Sequence, residues 1–307
     1  MKRDFLTLDA LSRAELDEIL HLSATLKREL KAGRRKPLLA GKTLAMIFEK
    51  PSLRTRVTFE VGMTQLGGYA VYLTPNDFRL GERESVADIA RNLERWVDVI
   101  MARTFSHASI VELAATAHVP VINGLSDLRH PCQVLSDCFT LLEHRGRLDG
   151  LRVAWIGDGN NVANSWIAAA MRFGFTFAIA CPKGYEPDAA LVALARQSGA
   201  DVIVTHDVKE AASQADVLYT DAWTSMGQEA EAVSRRRVFA DYQINARVVG
   251  IAKPDVVVMH CLPAHRGEEI TDDVIDGPHS IVFDQAENRL HVQKGALVWL
   301  HNQVSKR

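Results

Sequence analysis

With 307 residues the chain exceeds what a single hydrophobic core usually serves, so two domains are the starting expectation. Hydrophobic residues at 47% and charged residues at 24% belong to an ordinary globular composition, which argues against a disordered or low-complexity chain. A net charge of -2, from 36 basic and 38 acidic residues, offers no basic field for nucleic acid, and no apolar run is long enough to span a membrane. The N-terminal Met1-Lys2-Arg3-Asp4 lacks the apolar core of a signal peptide. Cys132, Cys138, Cys181 and Cys261 show no C-x-x-C spacing, which predicts reduced thiols in a cytoplasm.

In chain order, Ser12-Arg13-Ala14-Glu15 is a capping box, and Leu16, Ile19, Leu20, Leu26 and Leu30 follow on one helical stripe. Residues 44–48 read as a buried strand. Residues 57–66 read as a helix with Val57, Val61 and Leu66 on its apolar face, stopped by Gly67-Gly68. Residues 69–73 predict a strand, 85–96 a helix, 97–102 a strand, 108–117 a helix and 119–122 a short strand. A long helix over 130–144 leads from one half toward the other, and Gly146 to Gly150 looks like the boundary. The second half repeats the alternation, with strands at 153–156, 175–180, 202–205, 217–219 and 256–259. The predicted class is α/β: two similar domains, each a mostly parallel sheet flanked by helices. Ligands of such sheets bind beyond the C-terminal ends of strands.

The motifs sit at such ends. Lys50-Pro51-Ser52-Leu53-Arg54-Thr55-Arg56 joins the first strand to its helix, where backbone N–H groups and the helix dipole favour an anion. Ser52 and Thr55 add hydroxyls, and Arg54 and Arg56 add guanidinium forks suited to phosphate. A capped helix with solvated arginines is the bland alternative; two hydroxyls and two arginines in five residues favour phosphate. Arg103 follows a strand, which by itself marks only a surface charge. His130-Pro131-Cys132-Gln133 opens a helix: His130 either donates a proton or hydrogen bond to a carbonyl oxygen or merely caps the helix, and Gln133 can accept from an amide.

Gly157-Asp158-Gly159-Asn160-Asn161-Val162-Ala163 resembles a dinucleotide fingerprint, but Val162 stands at the third glycine and no acidic residue ends the next strand. Asn161 offers an amide to a carboxylate or amine instead. Asp221-Ala222-Trp223-Thr224-Ser225-Met226-Gly227 can grip an ammonium through Asp221 and Ser225, or simply form a capped turn with Met226 filling a gap. His260-Cys261-Leu262-Pro263, with His265, offers zinc-like ligands, but crowded on one loop they make a poor tetrahedral site, so no metal is expected. Cys261 reads either as a base or polar orienter or as an inert buried thiol. Arg289, early in the last helix, is a surface ion pair or a further anion contact.

Taken in order, these motifs resemble those of the ornithine carbamoyltransferases over nearly the whole chain. The matching segments are Ser52-Leu53-Arg54-Thr55-Arg56, His130-Pro131-Cys132-Gln133, Asp221 through Gly227, and His260-Cys261-Leu262-Pro263. The resemblance implies a carbamoyl-phosphate-binding domain over 1–145, with a C-terminal helix at about 286–307 packing back on it, and an ornithine-binding domain over 146–285. It implies that Ser52, Arg54 and Thr55 hold the phosphate with the backbone of Leu53. Arg103 and His130 would polarise the carbamoyl carbonyl, Gln133 and the Leu262 backbone would hold its amide, and Arg289 and Cys261 would line the same pocket. Asn161, Asp221, Ser225 and Met226 would bind L-ornithine, with Asp221 and Cys261 as active-site residues. No cofactor is implied, and the family's assembly is a homotrimer with shared active sites.

Two positions depart from the family pattern. Leu53 replaces a threonine, losing a hydroxyl while keeping its N–H. Arg79 precedes Leu80-Gly81 where relatives carry glutamine in a loop lent to a neighbouring subunit, and its charge either binds phosphate or lies outside the site. Aspartate carbamoyltransferase is disfavoured by the Ser-Met-Gly loop and Cys261, since aspartate calls for extra basic residues. Putrescine or N-acetylornithine as the amine stays open. A Rossmann-like dinucleotide-binding protein would explain the alternation but not the arginine-rich first loop.

Overall fold

The computed structural model describes residues 2–77, 79–225 and 227–305. The chain divides into two compact units, one running to Phe139 and resumed from Glu287, the other spanning Thr140–Ala286.

In the first unit α1 (Arg13–Lys31) starts at the predicted capping box: Ser12 Oγ accepts from the Glu15 N–H, and the Glu15 carboxylate accepts from the Ser12 N–H at 2.8 Å. Leu16, Ile19, Leu20 and Leu26 are buried as the stripe predicts, and Leu30 is half-buried. There follow β1 (Thr43–Phe48), α2 (Leu53–Gln65), β2 (Tyr69–Leu73), α3 (Val86–Leu93), β3 (Val99–Arg103), α4 (His107–Thr116), β4 (Val121–Leu125) and α5 (Pro131–Arg145), which belongs to this unit as far as Phe139. The sheet runs β2-β1-β3-β4 with every pair parallel. Ala45, Ile47, Ile100, Ala102 and Val121 pack one face against Ile89, Ala90, Ile110 and Leu113 of α3 and α4. Burial of each large side chain of this kind contributes about 1.5–3 kcal/mol.

One sequence expectation is corrected in α2. Its buried face is Thr55, Phe59, Gly62 and Met63, continued by Leu66 at the C-cap, whereas Val57 and Val61 are 44% and 37% exposed. Two apolar stripes share this helix, and only the one carrying Phe59 and Met63 meets the unit's own core.

The second unit continues with β5 (Arg152–Ile156), α6 (Asn161–Phe173), β6 (Thr176–Ala180), α7 (Ala189–Gln197), β7 (Val202–Thr205), α8 (Val208–Ala212), β8 (Val217–Thr220), α9 (Ala232–Val238), α10 (Ala246–Val249), β9 (Val257–His260) and α11 (Asp272–Ile275). Its parallel sheet is ordered β7-β6-β5-β8-β9. The last helix, α12 (Val282–Ser305), belongs to the first unit from Glu287 onward. There Lys27 Nζ donates to Asn288 Oδ1 at 2.8 Å and Trp299 Nε1 to Glu18 at 2.8 Å.

Each sheet has a point where consecutive connections run to opposite sides, between β1 and β3 in the first unit and between β5 and β8 in the second. Such points open a crevice at the strands' C-terminal ends. The 50–56 loop and Arg103 flank the first; the 157–161 and 221–227 loops flank the second.

Candidate active site

In the first unit Ser52 caps α2, its Oγ accepting from the Thr55 N–H at 3.3 Å. Leu53, as the first helical residue, directs its own N–H out of the helix end, where no intrahelical acceptor exists; its side chain is largely exposed. Thr55 is buried and its Oγ1 accepts from Arg289 at 3.2 Å. Arg289, far from being a surface charge, is itself buried and also donates through the other guanidinium nitrogen to Gln133 Oε1 at 2.5 Å. Gln133 is fixed from its second end by donating to Asp137 Oδ1 at 2.8 Å. The amide oxygen of Gln133 therefore has a defined direction, with one lone pair on Arg289 and a second for a ligand N–H.

Arg103 is the last residue of β3 rather than a residue beyond it, and it is buried. The pairing of β3 with β4 slips between Ala102 and Arg103: Ala102 lies opposite Asn123, Arg103 opposite Leu125, and Gly124 is the extra residue of a bulge. A Cβ on Gly124 would stand 2.4 Å from Met101 Sδ and 3.3 Å from the Ala102 carbonyl, so any larger residue would have to displace the Met101 side chain. Bulges of this kind re-aim a neighbouring side chain next to sites. His130 precedes α5 and is buried, and its carbonyl accepts from the Gln133 and Val134 N–H groups. Burial, followed by the positive charges of Arg289, Arg103 and Arg54, holds its imidazole well below the ordinary histidine range. Three arginines thus crowd one neutral histidine, which can donate a hydrogen bond but carries no surplus proton at neutral pH. Burial pushes the neighbouring Cys132 thiol up to about 12, and its Sγ donates to the Asn123 carbonyl at 3.4 Å, an inert packing role.

Two basic residues of the sequence reading lie away from this cluster. Arg56 faces the other side of α2, stacked on Tyr72 at 3.8 Å and paired with Glu60 at 3.1 Å, so it is no phosphate fork. Arg79 is exposed and paired with Glu82 at 3.4 Å.

In the second unit Asp221 follows β8, and both carboxylate oxygens are held. Cys261 Sγ donates to Oδ1 at 2.9 Å and Asn160 Nδ2 donates to Oδ2 at 2.8 Å. Asn160 also caps α6, its Oδ1 accepting from the Val162 and Ala163 N–H groups. Asn161, the residue singled out from sequence, is the first residue of α6 and half-buried. Ser225 is half-buried, its N–H donating to Gln228 Oε1 at 3.2 Å. Met226 lies outside the described residues. Buried Arg235 ties the two loops together: it donates to the Trp223 carbonyl at 2.6 Å and pairs with Asp158. Burial nevertheless raises the Asp158 pKa, with Asp221 adding to the rise.

Cys261 and Leu262 follow β9, and Leu262 has φ +57. Asp221, His260 and Cys261 place ligand atoms within 4.8 Å of one another. Both ring nitrogens of His260 are already engaged, with the Leu262 N–H at 2.8 Å and Glu269 at 2.9 Å, so this group is organised for hydrogen bonding rather than for a metal.

The carbamoyl-P binding domain of the aspartate/ornithine carbamoyltransferases matches residues 3–143, and the Asp/Orn binding domain matches residues 149–300. The chain belongs to the aspartate/ornithine carbamoyltransferase family. It is 55% identical over 302 residues to the ornithine carbamoyltransferase of Anoxybacillus flavithermus, covering 97% of this chain and 96% of the relative. The corresponding protein of Carboxydothermus hydrogenoformans is 53% identical over 302 residues, covering 97% of each. Among solved structures, the ornithine carbamoyltransferase from Pyrococcus furiosus superposes with a TM-score of 0.93 at 52% identity over 96% of each chain. That from Thermus thermophilus gives 0.89 at 48% identity over 98% of this chain and 99% of its own.

Family membership agrees with the geometry of the broken glycine fingerprint. The Gly159 N–H donates to the Tyr185 carbonyl at 2.9 Å, and a Cβ there would meet the backbone of Glu186 and Pro187 at 2.4 and 2.3 Å. The chain's own 185–187 segment occupies the space that a pyrophosphate needs in a dinucleotide fold. Asn160, Asp137, Arg235 and Glu269 were not singled out from sequence. Asn160 carried a readable signal as an N-cap before an apolar run, and Asp137 one as the i+4 neighbour of Gln133. Arg235 carried none, because Asp158 and Trp223 are 77 and 12 residues away. Glu269 carried none, because His260 and His265, 9 and 4 residues before it, are joined to it through a loop, where spacing marks no buried pair.

Proposed function

We propose that this protein transfers the carbamoyl group of carbamoyl phosphate to the side-chain amine of L-ornithine, giving L-citrulline and phosphate. The observation that carries the substrate choice is Asp221, a carboxylate oriented through both oxygens at a strand-end crevice. A fixed negative charge there suits the ammonium of ornithine and repels the second carboxylate of aspartate.

In this reading Ser52, Arg54, Thr55 and the Leu53 N–H bind the phosphate, and Arg103 and neutral His130 polarise the carbonyl. Gln133, held by Arg289 and Asp137, accepts from the carbamoyl amide, and the Leu262 backbone and Cys261 are assigned to the same group. Asn161, Asp221, Ser225 and Met226 bind ornithine. The uncharged amine attacks the carbamoyl carbon, and the carbonyl electrons move onto oxygen. Collapse breaks the C–O bond to phosphate, which leaves with the bonding pair and takes up the proton lost by nitrogen. The arginines act on charge that develops on the tetrahedral oxygen and the leaving group.

The reading extends to a homotrimer in which Arg79 enters a neighbour's site. It is supported by the exposed apolar residues Leu53, Val57 and Val61 on α2 and Tyr69 and Val71 on β2, the edge strand of its sheet. A cytoplasmic setting fits four free, buried thiols. Among the described residues no helix is long and apolar enough to cross a membrane. The test is to mix the protein with carbamoyl phosphate and ornithine and measure ureido product and phosphate together: equal amounts of both are expected, and phosphate without ureido product overturns the assignment. Light scattering on the eluting protein checks for three copies.

A further inference from the structure

We propose that Glu269 and His260 are positioning residues for carbamoyl transfer, a buried carboxylate–imidazole relay that sets the backbone of Leu262 against the carbamoyl group; the role rests on the substrate reading above. Leu262 adopts φ +57, a left-handed conformation that a branched side chain takes only when its surroundings enforce it. The enforcing contact is a hydrogen bond to the histidine two residues before it. The Leu262 N–H donates to His260 Nδ1 at 2.8 Å, so that nitrogen carries no proton and the ring's hydrogen is on Nε2. Nε2 donates to Glu269 Oε1 at 2.9 Å, and both side chains are wholly buried.

Glu269 is fixed in turn. Its Oε1 also accepts from the His265 N–H at 2.6 Å, and its backbone carbonyl accepts from the Ile244 N–H at 2.9 Å. The His260 backbone is pinned from the other side, its N–H donating to Gln285 Oε1 at 3.0 Å, while Gln285 Nε2 donates to the Tyr219 hydroxyl at 3.0 Å. A rotation of the imidazole about its ring axis would therefore break contacts at both ends. Without Glu269 the Nε2–H loses its acceptor, and only the Leu262 N–H still orients the ring and favours the Nε2-protonated form. The backbone between Cys261 and Pro263 is then held in its left-handed turn by an imidazole anchored at one end instead of two. Cys261, the partner of Asp221, rides on the same segment.

The test is steady-state carbamoyl transfer in single variants, with calorimetry of inorganic phosphate binding beside it. Glu269→Gln keeps an oxygen for the His260 N–H and is expected to stay within about threefold of native turnover. Glu269→Leu removes the acceptor and is expected to lose turnover on the order of a hundredfold, as for misplaced reacting groups. Its affinity for inorganic phosphate, which reads the separate 52–55 cradle, should not move. Equal turnover in the two variants overturns the relay. If Glu269→Leu does not fold, His260 decides. His260→Asn returns an oxygen near the Nδ1 position and should exceed His260→Leu by about tenfold; equal values overturn the proposal. Failure of the unsubstituted protein to carbamoylate ornithine is a separate result, read before any variant, and it removes the substrate reading on which the relay depends.

Discussion

Cys261 donates its thiol proton to Asp221 across 2.9 Å, which makes the sulfur a partner of the carboxylate rather than an isolated nucleophile. With Asn160 on the other oxygen, the carboxylate is held in one plane before any substrate arrives. Hydrogen bonds to a charged group contribute about 1.5–3 kcal/mol each. Cys261→Ala is therefore predicted to lower kcat/KM for ornithine by roughly 10- to 100-fold. Cys261→Ser, which keeps a donor, should lose less. Carbamoyl phosphate affinity measured without ornithine should change little in either. Native kinetics in Cys261→Ala would make the thiol a packing residue.

Arg289 joins two groups 156 and 234 residues away in sequence, Gln133 and Thr55, through separate nitrogens. A lysine ammonium cannot span both with the same geometry. Arg289→Lys is predicted to loosen Gln133 as well as the helix carrying Thr55. The expected result is a fall of about tenfold or more in kcat/KM for carbamoyl phosphate, with a lowered thermal midpoint. Unchanged kinetics would show that the Gln133 orientation does not matter.

The depressed pKa of His130 fixes the direction of a pH effect on stability. The native state keeps this ring neutral well below the ordinary value, whereas the unfolded chain binds a proton near 6.5. Protons taken up below that pH favour the unfolded state, so stability falls as pH drops from about 6.5, by up to about 1.4 kcal/mol per unit for this group. His291, lowered to about 4 chiefly by burial, acts with the same sign. Urea midpoints of His130→Asn are predicted to fall less steeply than native between pH 6.5 and 5. Parallel curves would contradict the buried neutral imidazole. Between pH 6 and 8 the same residue should place no inflection on kcat.

What could be seen in the sequence was local. The Ser12–Glu15 capping box, the apolar strand at 44–48 and the strand-end positions of the 50–56, 157–161, 221–227 and 260–263 segments depend on neighbours within a few residues, and they stand where expected. The face of α2 was misassigned because Val57 and Val61 share the helical period of the true core face, and periodicity does not say which stripe meets the chain's own core. Arg56 reads as well as Arg54 for phosphate until the helix turns it onto Tyr72. The bulge at Gly124 was invisible, since the predicted strand covers 119–122 and ends before it; the close approach to Met101 exists only once β3 lies alongside. Arg289 read equally as a surface ion pair or an anion contact, because both its partners come from distant segments.

The measurement that bears most directly on the central claim is kcat/KM for ornithine against putrescine, N-acetylornithine and aspartate at saturating carbamoyl phosphate. Asp221, held by Cys261, Asn160 and the Ala222 N–H, calls for a free α-ammonium, which putrescine and N-acetylornithine lack and which aspartate offers only with a second carboxylate. Ornithine is predicted to exceed each of the others by at least about a hundredfold, the discrimination expected when a polar site is left unmatched. A putrescine or N-acetylornithine value equal to that of ornithine would contradict the account.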